Sequence, residues 1–225
     1  YEPELAEEVI SNSDATEWTF KLRKGVEFHD GKTMTADDVI YSMNRHLGAD
    51  SVSNANALVG MIKEWKKIND YEVKAVLSSP NADLPIALGT FHFKIIKDGT
   101  TDFSTAVGTG PYKCKEFKPG VRTSGVRNEN FWDEGGYLDE IEHFGIGDPT
   151  ARLNAFLAGD VDAMVNLPPK AIAQVENAPG REIWSVESGA YINIACRMDM
   201  PQSGNLDLIL AVSYTHLTLP TRLLV

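Results

Sequence analysis

The stretch from Trp18 to Val39 decides the fold, and it reads WTFKLRKGVEFHDGKTMTADDV. Apolar and polar residues alternate from Glu17 to Arg23, which is the period of a half-buried β-strand. Turn signals follow at Lys24-Gly25 and at Asp30-Gly31, with a resumed alternation between them. The stretch therefore predicts a strand followed by tight, hairpin-like turns.

The end of this stretch predicts a helix. Thr35 stands three residues before Asp38, the spacing at which a hydroxyl and a carboxylate satisfy the first backbone N–H groups of a helix. Val39, Met43 and Leu47 then recur every fourth residue. This pattern predicts an amphipathic helix of about three turns, with one apolar face.

Strand and helix patterns alternate along the rest of the chain. Asp148 before Pro149 predicts a capped helix start, Gly159 predicts its end, and a second proline-started helix is predicted over 169–176. Further strands are predicted at 71–77, 112–117, 121–128, 161–165, 182–186 and 191–196. The fold class is therefore α/β, with mixed β-sheets flanked by helices.

Charge excludes several classes of partner. Of the 225 residues, 32 are acidic and 21 are basic, which gives a net charge of −11. Such a balance argues against binding to nucleic acid or to an anionic membrane surface. No apolar run is long enough for membrane insertion, and no basic region followed by an apolar stretch opens the sequence. Neither a membrane span nor a signal peptide is therefore predicted within it.

No catalytic or metal-ligating constellation is present in the sequence. No Ser, Cys or Lys lies in a nucleophile motif, and the histidines at 29, 46, 92 and 143 are scattered singly. Cys114 and Cys196 fit predicted strands, either as small buried residues or as a mutual disulfide. We therefore expect no enzyme activity, no metal and no cofactor, with a secreted hydrolase as the remote alternative.

Several motifs together resemble one protein family. The opening block is accompanied by four later landmarks: GTGPY at 108–112, RNENFW at 127–132, Asp148 with Arg152, and GDVD at 159–162. In this order they are similar to the extracytoplasmic solute-binding proteins of family 5, the dipeptide- and oligopeptide-binding subunits of bacterial ABC importers. The resemblance covers about residues 1–210, and its first block is the most specific part.

The resemblance implies a fold and a function. The fold would be the two-lobed, type II periplasmic-binding-protein architecture, incomplete in this sequence. The function would be capture of di- or oligopeptides in the periplasm by a monomer that delivers them to ABC permease subunits. Relatives with this scaffold carry other cargo, so a nickel complex, haem or an opine-like compound remains the alternative solute.

The resemblance also suggests how the chain is divided. It implies a fragment that lacks the extreme N-terminus and the C-terminal half of the family's proteins. We expect a small N-terminal domain at 1–107 and part of the ligand-binding lobe at 108–210. Residues 211–225 contain no Asp or Glu and are rich in Leu and Thr, so we interpret them as a non-native tail.

Four residues match the family's cleft-lining positions and are the candidate ligand contacts. They are Asn166, Leu167, Tyr191 and Asn193. The two asparagines can donate to and accept from a peptide backbone, and the tyrosine would add an amphipathic wall. An equally good interpretation of Asn166 is a turn former before Pro168.

Overall fold

The structure, a computed structural model, describes residues 4–48, 51–104 and 106–185. The chain divides into two compact units, Tyr1–Gly145 and Ile146–Val225. The elements of unit 1 are β1 (Ala6–Ser11), β2 (Glu17–Leu22), α1 (Ala36–Asn44), α2 (Asn56–Val59), β3 (Ile62–Asn69), β4 (Glu72–Leu77), α3 (Leu84–Leu88), β5 (Tyr112–Lys118), β6 (Arg122–Arg127) and β7 (Glu140–Phe144). Unit 2 contains α4 (Pro149–Ala158), a 3-10 turn (Pro169–Ala171) and α5 (Ile172–Glu176).

The first sheet of unit 1 is built around the predicted strand. Its strand order is β1-β2-β4-β3, and each neighbouring pair is antiparallel. Trp18, Phe20 and Leu22 on β2 are buried, while Lys21 is exposed, so the alternation in the sequence is confirmed. The buried side chains of β2 and β4 pack with α1 in one core.

The segment between β2 and α1 forms a tight turn rather than a second full strand. Gly25 and Gly31 adopt left-handed backbone conformations, as the turn signals predict. Only Glu27 and Thr33 form a bridge there, but Val26 and Phe28 are fully buried in the core. The helix follows as predicted, because Thr35 caps α1 and its backbone N–H donates to the Asp38 carboxylate at 2.8 Å.

The second sheet of unit 1 has the order β5-β6-β7, again antiparallel throughout. The predicted strands at 112–117 and 121–128 correspond to β5 and β6, joined by the Pro119-Gly120 turn. Ion pairs such as Lys115 with Glu140 link the exposed strands. Every strand pair in the described part of the chain is antiparallel, and helices accompany both units.

The two predicted helices of unit 2 are confirmed. The Asp148 side chain accepts a hydrogen bond from the Ala151 N–H at 2.7 Å, and Gly159 ends α4 in a left-handed conformation. Residues 161–165, however, form no strand, so that prediction is wrong. A strand needs a neighbouring strand to pair with, and no strand lies among residues 146–185, the described part of unit 2.

Some predictions lie outside the described residues or stay predictions. Residues 182–185 form no strand, and the remaining residue of that predicted strand, Val186, falls outside the described part of the chain. The predicted strand at 191–196, residue Cys196 and the tail at 211–225 also fall outside it. The two sheets lie on opposite sides of Gly108 in the sequence, whereas the compact unit continues to Gly145. The division into 1–107 and 108–210 stays a prediction about the assembled protein.

Gly145, at the end of unit 1, gives a first testable consequence. A Cβ at this position would clash with the Gly120 carbonyl oxygen, a contact that only a backbone shift can relieve. We expect Gly145→Ala to lower the stability of unit 1 by about 2 kcal/mol, because overpacking against backbone is costly. The thermal unfolding temperature should fall by roughly 4–8 °C.

Gly147 supplies the matched control for that substitution. A Cβ added there meets no atom within 4 Å, so Gly147→Ala should leave the unfolding temperature unchanged. If calorimetry gives equal unfolding temperatures for the two variants, the β5–β6 turn moves aside with no loss of unfolding free energy, and the prediction is wrong.

Candidate functional site

One cavity among the described residues belongs to unit 2 and is lined by side chains that could hold a small molecule. Its volume is about 690 Å³, which falls in the range of small-molecule sites. It lies between the segment that follows α4 and the segment that follows α5. Its lining residues are Phe156, residues 162–167, Val175 and residues 180–184.

A small apolar core supports the floor of this cavity. Leu153 and Phe156 of α4 are buried together with Ala171 and Val175, which lie on the 3-10 turn and α5. Their positions follow from the sequence, because the capped helix α4 presents an apolar face at helical spacing. Phe156 and Val175 belong both to the core and to the cavity lining. Packing therefore restrains the positions of these two lining side chains.

Asn166 lines the cavity, and its backbone has a φ of 58°. This left-handed conformation is uncommon outside glycine, and asparagine tolerates it better than most residues. The structure therefore supports the turn-forming interpretation of Asn166. Its amide is exposed at the cavity wall, so the same residue also remains available as a ligand contact.

Leu167 also lines the cavity, but its surroundings differ from those of Asn166. It is half-buried and packs against the core of unit 2. Its main described role is therefore apolar packing beneath the cavity wall. Any contact with a solute would use the part of the side chain that remains exposed.

Tyr191 and Asn193 lie outside the described residues, so their placement relative to Asn166 stays a prediction. Of the four candidate contacts, the structure brings Asn166 and Leu167 to one cavity wall.

Two exposed apolar side chains at this cavity were not singled out as ligand contacts from the sequence. Trp184 lines the cavity with 86% of its surface exposed, and Val165 lines it with 74% exposed. Exposed large apolar groups beside a cavity are typical of binding surfaces. The available signal was the position of a tryptophan in the segment after α5, but sequence alone did not separate it from core tryptophans.

Charged groups accompany this apolar wall. The Arg181 guanidinium lies over the Phe156 ring at 5.0 Å and its Nε donates to the Phe156 carbonyl oxygen at 3.1 Å. This contact stabilises the last turn of α4, where carbonyl groups lack helical partners. The exposed side chains of Asp162 and Glu182 line the same cavity. The site thus combines one guanidinium, two carboxylates and an amide with an apolar surface.

Within 4–48, 51–104 and 106–185, no group of three or more His, Cys, Asp or Glu residues is arranged to hold a metal ion. No helix in the same ranges has the length and hydropathy needed to cross a membrane.

Comparison with protein families gives one match over most of the chain. The profile described as "Bacterial extracellular solute-binding proteins, family 5 Middle" matches residues 1–215. The oligopeptide-binding protein AppA of Bacillus subtilis is 30% identical over an aligned length of 202, and the alignment covers 84% of this chain and 37% of AppA. Heme-binding protein A of Haemophilus influenzae is 26% identical over an aligned length of 242, and the alignment covers 95% of this chain and 44% of that protein.

A solved structure shows the same similarity. The periplasmic binding protein AgaA from A. tumefaciens R10, in complex with agropinic acid, superposes with a TM-score of 0.72 at 29% sequence identity. The superposition covers 79% of this chain and 37% of AgaA. The periplasmic-binding-protein fold expected from the sequence is confirmed for the part of that fold which this chain spans. The chain spans less than half the length of these curated relatives.

Proposed function

Because the chain belongs to family 5 of the bacterial extracellular solute-binding proteins, we propose that the protein captures peptides and delivers them to the permease of an ABC importer. The capture takes place in the periplasm, and the binding subunit acts as a monomer. No covalent chemistry is involved. The solute is bound between two lobes that close around it, and this chain supplies part of one lobe.

The 690 Å³ cavity of unit 2 is the observation that carries this proposal. A peptide presents backbone amides, side chains of varied polarity and a charge of each sign at its ends. The cavity wall offers an amide at Asn166, apolar surface at Trp184 and charged groups of both signs, which match these features. Tyr191 and Asn193 are proposed to complete this wall. Such a mixed lining suits a zwitterionic solute better than a purely apolar one.

A different solute is the second candidate. AppA is named for oligopeptides, whereas heme-binding protein A is named for haem and AgaA was solved with agropinic acid. A nickel complex, haem or an opine-like compound would be bound by the same closure of two lobes, but would contact other residues of the cavity wall. Isothermal titration of the complete gene product with dipeptides, longer peptides, nickel-histidine, haem and an opine distinguishes these solutes. If heat of binding is detected only with a non-peptide solute, that solute takes the place of the peptide in the proposal.

Analysis of the products after incubation with a peptide distinguishes a hydrolase from a binding protein. The complete gene product should return a labelled peptide intact after prolonged incubation, because no nucleophile motif is present. Cleavage of the peptide would overturn the non-enzyme proposal.

The contribution of Asn166 is tested by substitution in the complete gene product. Asn166→Gly removes the amide and keeps the left-handed backbone accessible, so loss of stability from backbone strain is avoided. Losing one hydrogen-bonding partner of a desolvated peptide should weaken binding about tenfold, which corresponds to about 1.4 kcal/mol. Titration calorimetry with the tightest-binding peptide measures this change.

Asn154 provides the control for this substitution. It lies exposed on α4 and does not line the cavity, so Asn154→Gly should leave the peptide affinity unchanged although it weakens the helix. If Asn166→Gly binds peptide as the parent does, Asn166 is a turn former only, and the solute is held elsewhere.

A further inference from the structure

His29 joins two parts of unit 1 that are far apart in the sequence. It lies on the turn between β2 and α1, and it contacts the Gly108–Pro111 turn that leads into β5. The His29 backbone N–H donates to the Gly108 carbonyl oxygen at 2.8 Å. Its half-buried ring makes two further hydrogen bonds to the same turn.

The two ring hydrogen bonds require one protonation state. The Gly108 N–H donates to Nδ1 at 3.2 Å, so Nδ1 must be the acceptor. Nε2 lies 3.0 Å from the Gly110 carbonyl oxygen, so Nε2 must carry the proton and donate. Only the neutral imidazole protonated on Nε2 satisfies both contacts. A protonated ring carries N–H on both nitrogens and turns the Gly108 contact into two facing donors.

The rest of the turn is held by neutral groups. The buried Asn128 side chain donates to the Gly110 oxygen at 3.1 Å, and its backbone N–H donates to the Pro111 oxygen at 2.8 Å. The Trp132 indole N–H donates to the Thr109 oxygen at 3.0 Å. All four successive carbonyl groups of the turn are therefore paired. His29 is the titratable member of this arrangement.

Charged side chains close to His29 in the sequence are Glu27, Asp30 and Lys32, and Lys97 is the partner of Asp30. Arg23, on the same segment, lies over the Trp132 ring at 5.0 Å. Asp30 is paired with Lys97, Lys32 is paired with Asp38, and Glu27 accepts from the Asn130 amide at 3.4 Å. The Gly108–Pro111 turn carries no charged side chain that could offset a proton on the ring.

We propose that His29 is an acid-sensitive latch that fastens the Gly108–Pro111 turn to the first sheet of unit 1. In its neutral state the ring holds the turn from which β5 departs. Protonation removes the acceptor of the Gly108 N–H and loosens the connection between the two sheets. The latch lies outside the candidate solute cavity and acts on the assembly of unit 1.

Amide hydrogen exchange of Gly108, corrected for the intrinsic effect of pH, tests this latch. Acidification from about pH 7.5 to about pH 5.5 should raise the exchange rate of this amide about tenfold in the parent protein. In His29→Asn the side-chain oxygen can still accept from the Gly108 N–H and does not titrate, so the rate should stay constant. An equal acid response in both proteins would overturn the proposal.

Two measurements keep this test specific. Burial, together with the charge of Arg45, lowers the pKa of His46. Because His46 is present in every variant, any effect of its protonation on the exchange rate is the same in all of them and cancels in the comparison. His143→Asn, at an exposed position on β7, should retain the full response of the parent. In the unsubstituted protein, imidazole ¹⁵N shifts should show a proton on Nε2 of His29 and none on Nδ1 near neutral pH. The opposite tautomer would refute the latch directly.

Discussion

Replacing Asp38 by asparagine should lower the stability of the protein by about 3 kcal/mol, which is a drop of roughly 6–12 °C in the unfolding temperature. The side chain is fully buried, and it accepts four hydrogen bonds. One oxygen accepts from Lys32 and from the Asp98 N–H; the other accepts from the N–H and the hydroxyl of Thr35. An asparagine would turn one of these acceptors into a donor that faces donors.

The same network predicts how stability depends on pH. Burial alone raises the pKa of Asp38, but the hydrogen bonds from Asp98, Lys32 and Thr35 outweigh it and hold the pKa below its usual value. A lowered pKa in the folded state means that the carboxylate stabilises the fold fully above about pH 5. This contribution is lost as the pH falls below about 4 towards the folded-state pKa.

Asp37 is the matched control for this experiment. It neighbours Asp38 on α1, but its side chain is exposed and pairs with Lys67 at the surface. Asp37→Asn should cost less than about 1 kcal/mol, because exposed ion pairs contribute little. In urea titrations across the acid range, Asp38→Asn should show a flatter dependence on pH than the parent. If the unfolding free energy falls with pH equally in both variants and in the parent, Asp38 does not contribute to the loss of stability in acid.

Replacing Phe28 by alanine should have a comparable or larger effect, about 4 kcal/mol of unfolding free energy. Phe28 is 2% exposed and belongs to the core of the first sheet, although it lies on a turn rather than on a strand. The truncation loses the transfer energy of the ring and leaves a cavity that the surrounding sheet can close only in part. Denaturant unfolding should show a lower midpoint with little change in slope.

The exposed phenylalanine on the segment after α3 is the comparison for that result. Phe91 is 75% exposed, so Phe91→Ala should change the unfolding free energy by no more than about 0.5 kcal/mol. A Phe28→Ala variant as stable as Phe91→Ala would mean that the turn between β2 and α1 repacks without a cavity.

Several elements could be predicted from the sequence because their signals are local. The alternation in β2, the glycines at 25 and 31, the Thr35 cap and the Asp148 cap each act through neighbours within a few residues. Backbone sterics and short-range hydrogen bonds are the same wherever such a segment occurs. These parts of the fold can therefore be predicted from the sequence without knowledge of any tertiary contact.

Other strands could not be predicted, because their own residues carry no strand period. The β3 sequence IKEWKKIN buries only Ile62 and Trp65, and its pairing with β4 contains two register shifts. The β7 sequence EIEHF is mostly exposed and becomes a strand by pairing with β6. In both cases hydrogen bonds to a neighbouring strand decide the conformation. Which strand becomes the neighbour depends on the fold of the whole chain.

The candidate site shows the same limit. Asn166 and Leu167 were found through the resemblance, and the structure places them on one cavity wall. Trp184 and Arg181 line that wall from another segment, and the contact between His29 and Gly108 spans 79 residues. Residue identity determined which local turns, caps and strands could form and which family the chain resembles. Only the tertiary structure decided which distant groups meet, because long-range contacts depend on the packing of all elements together.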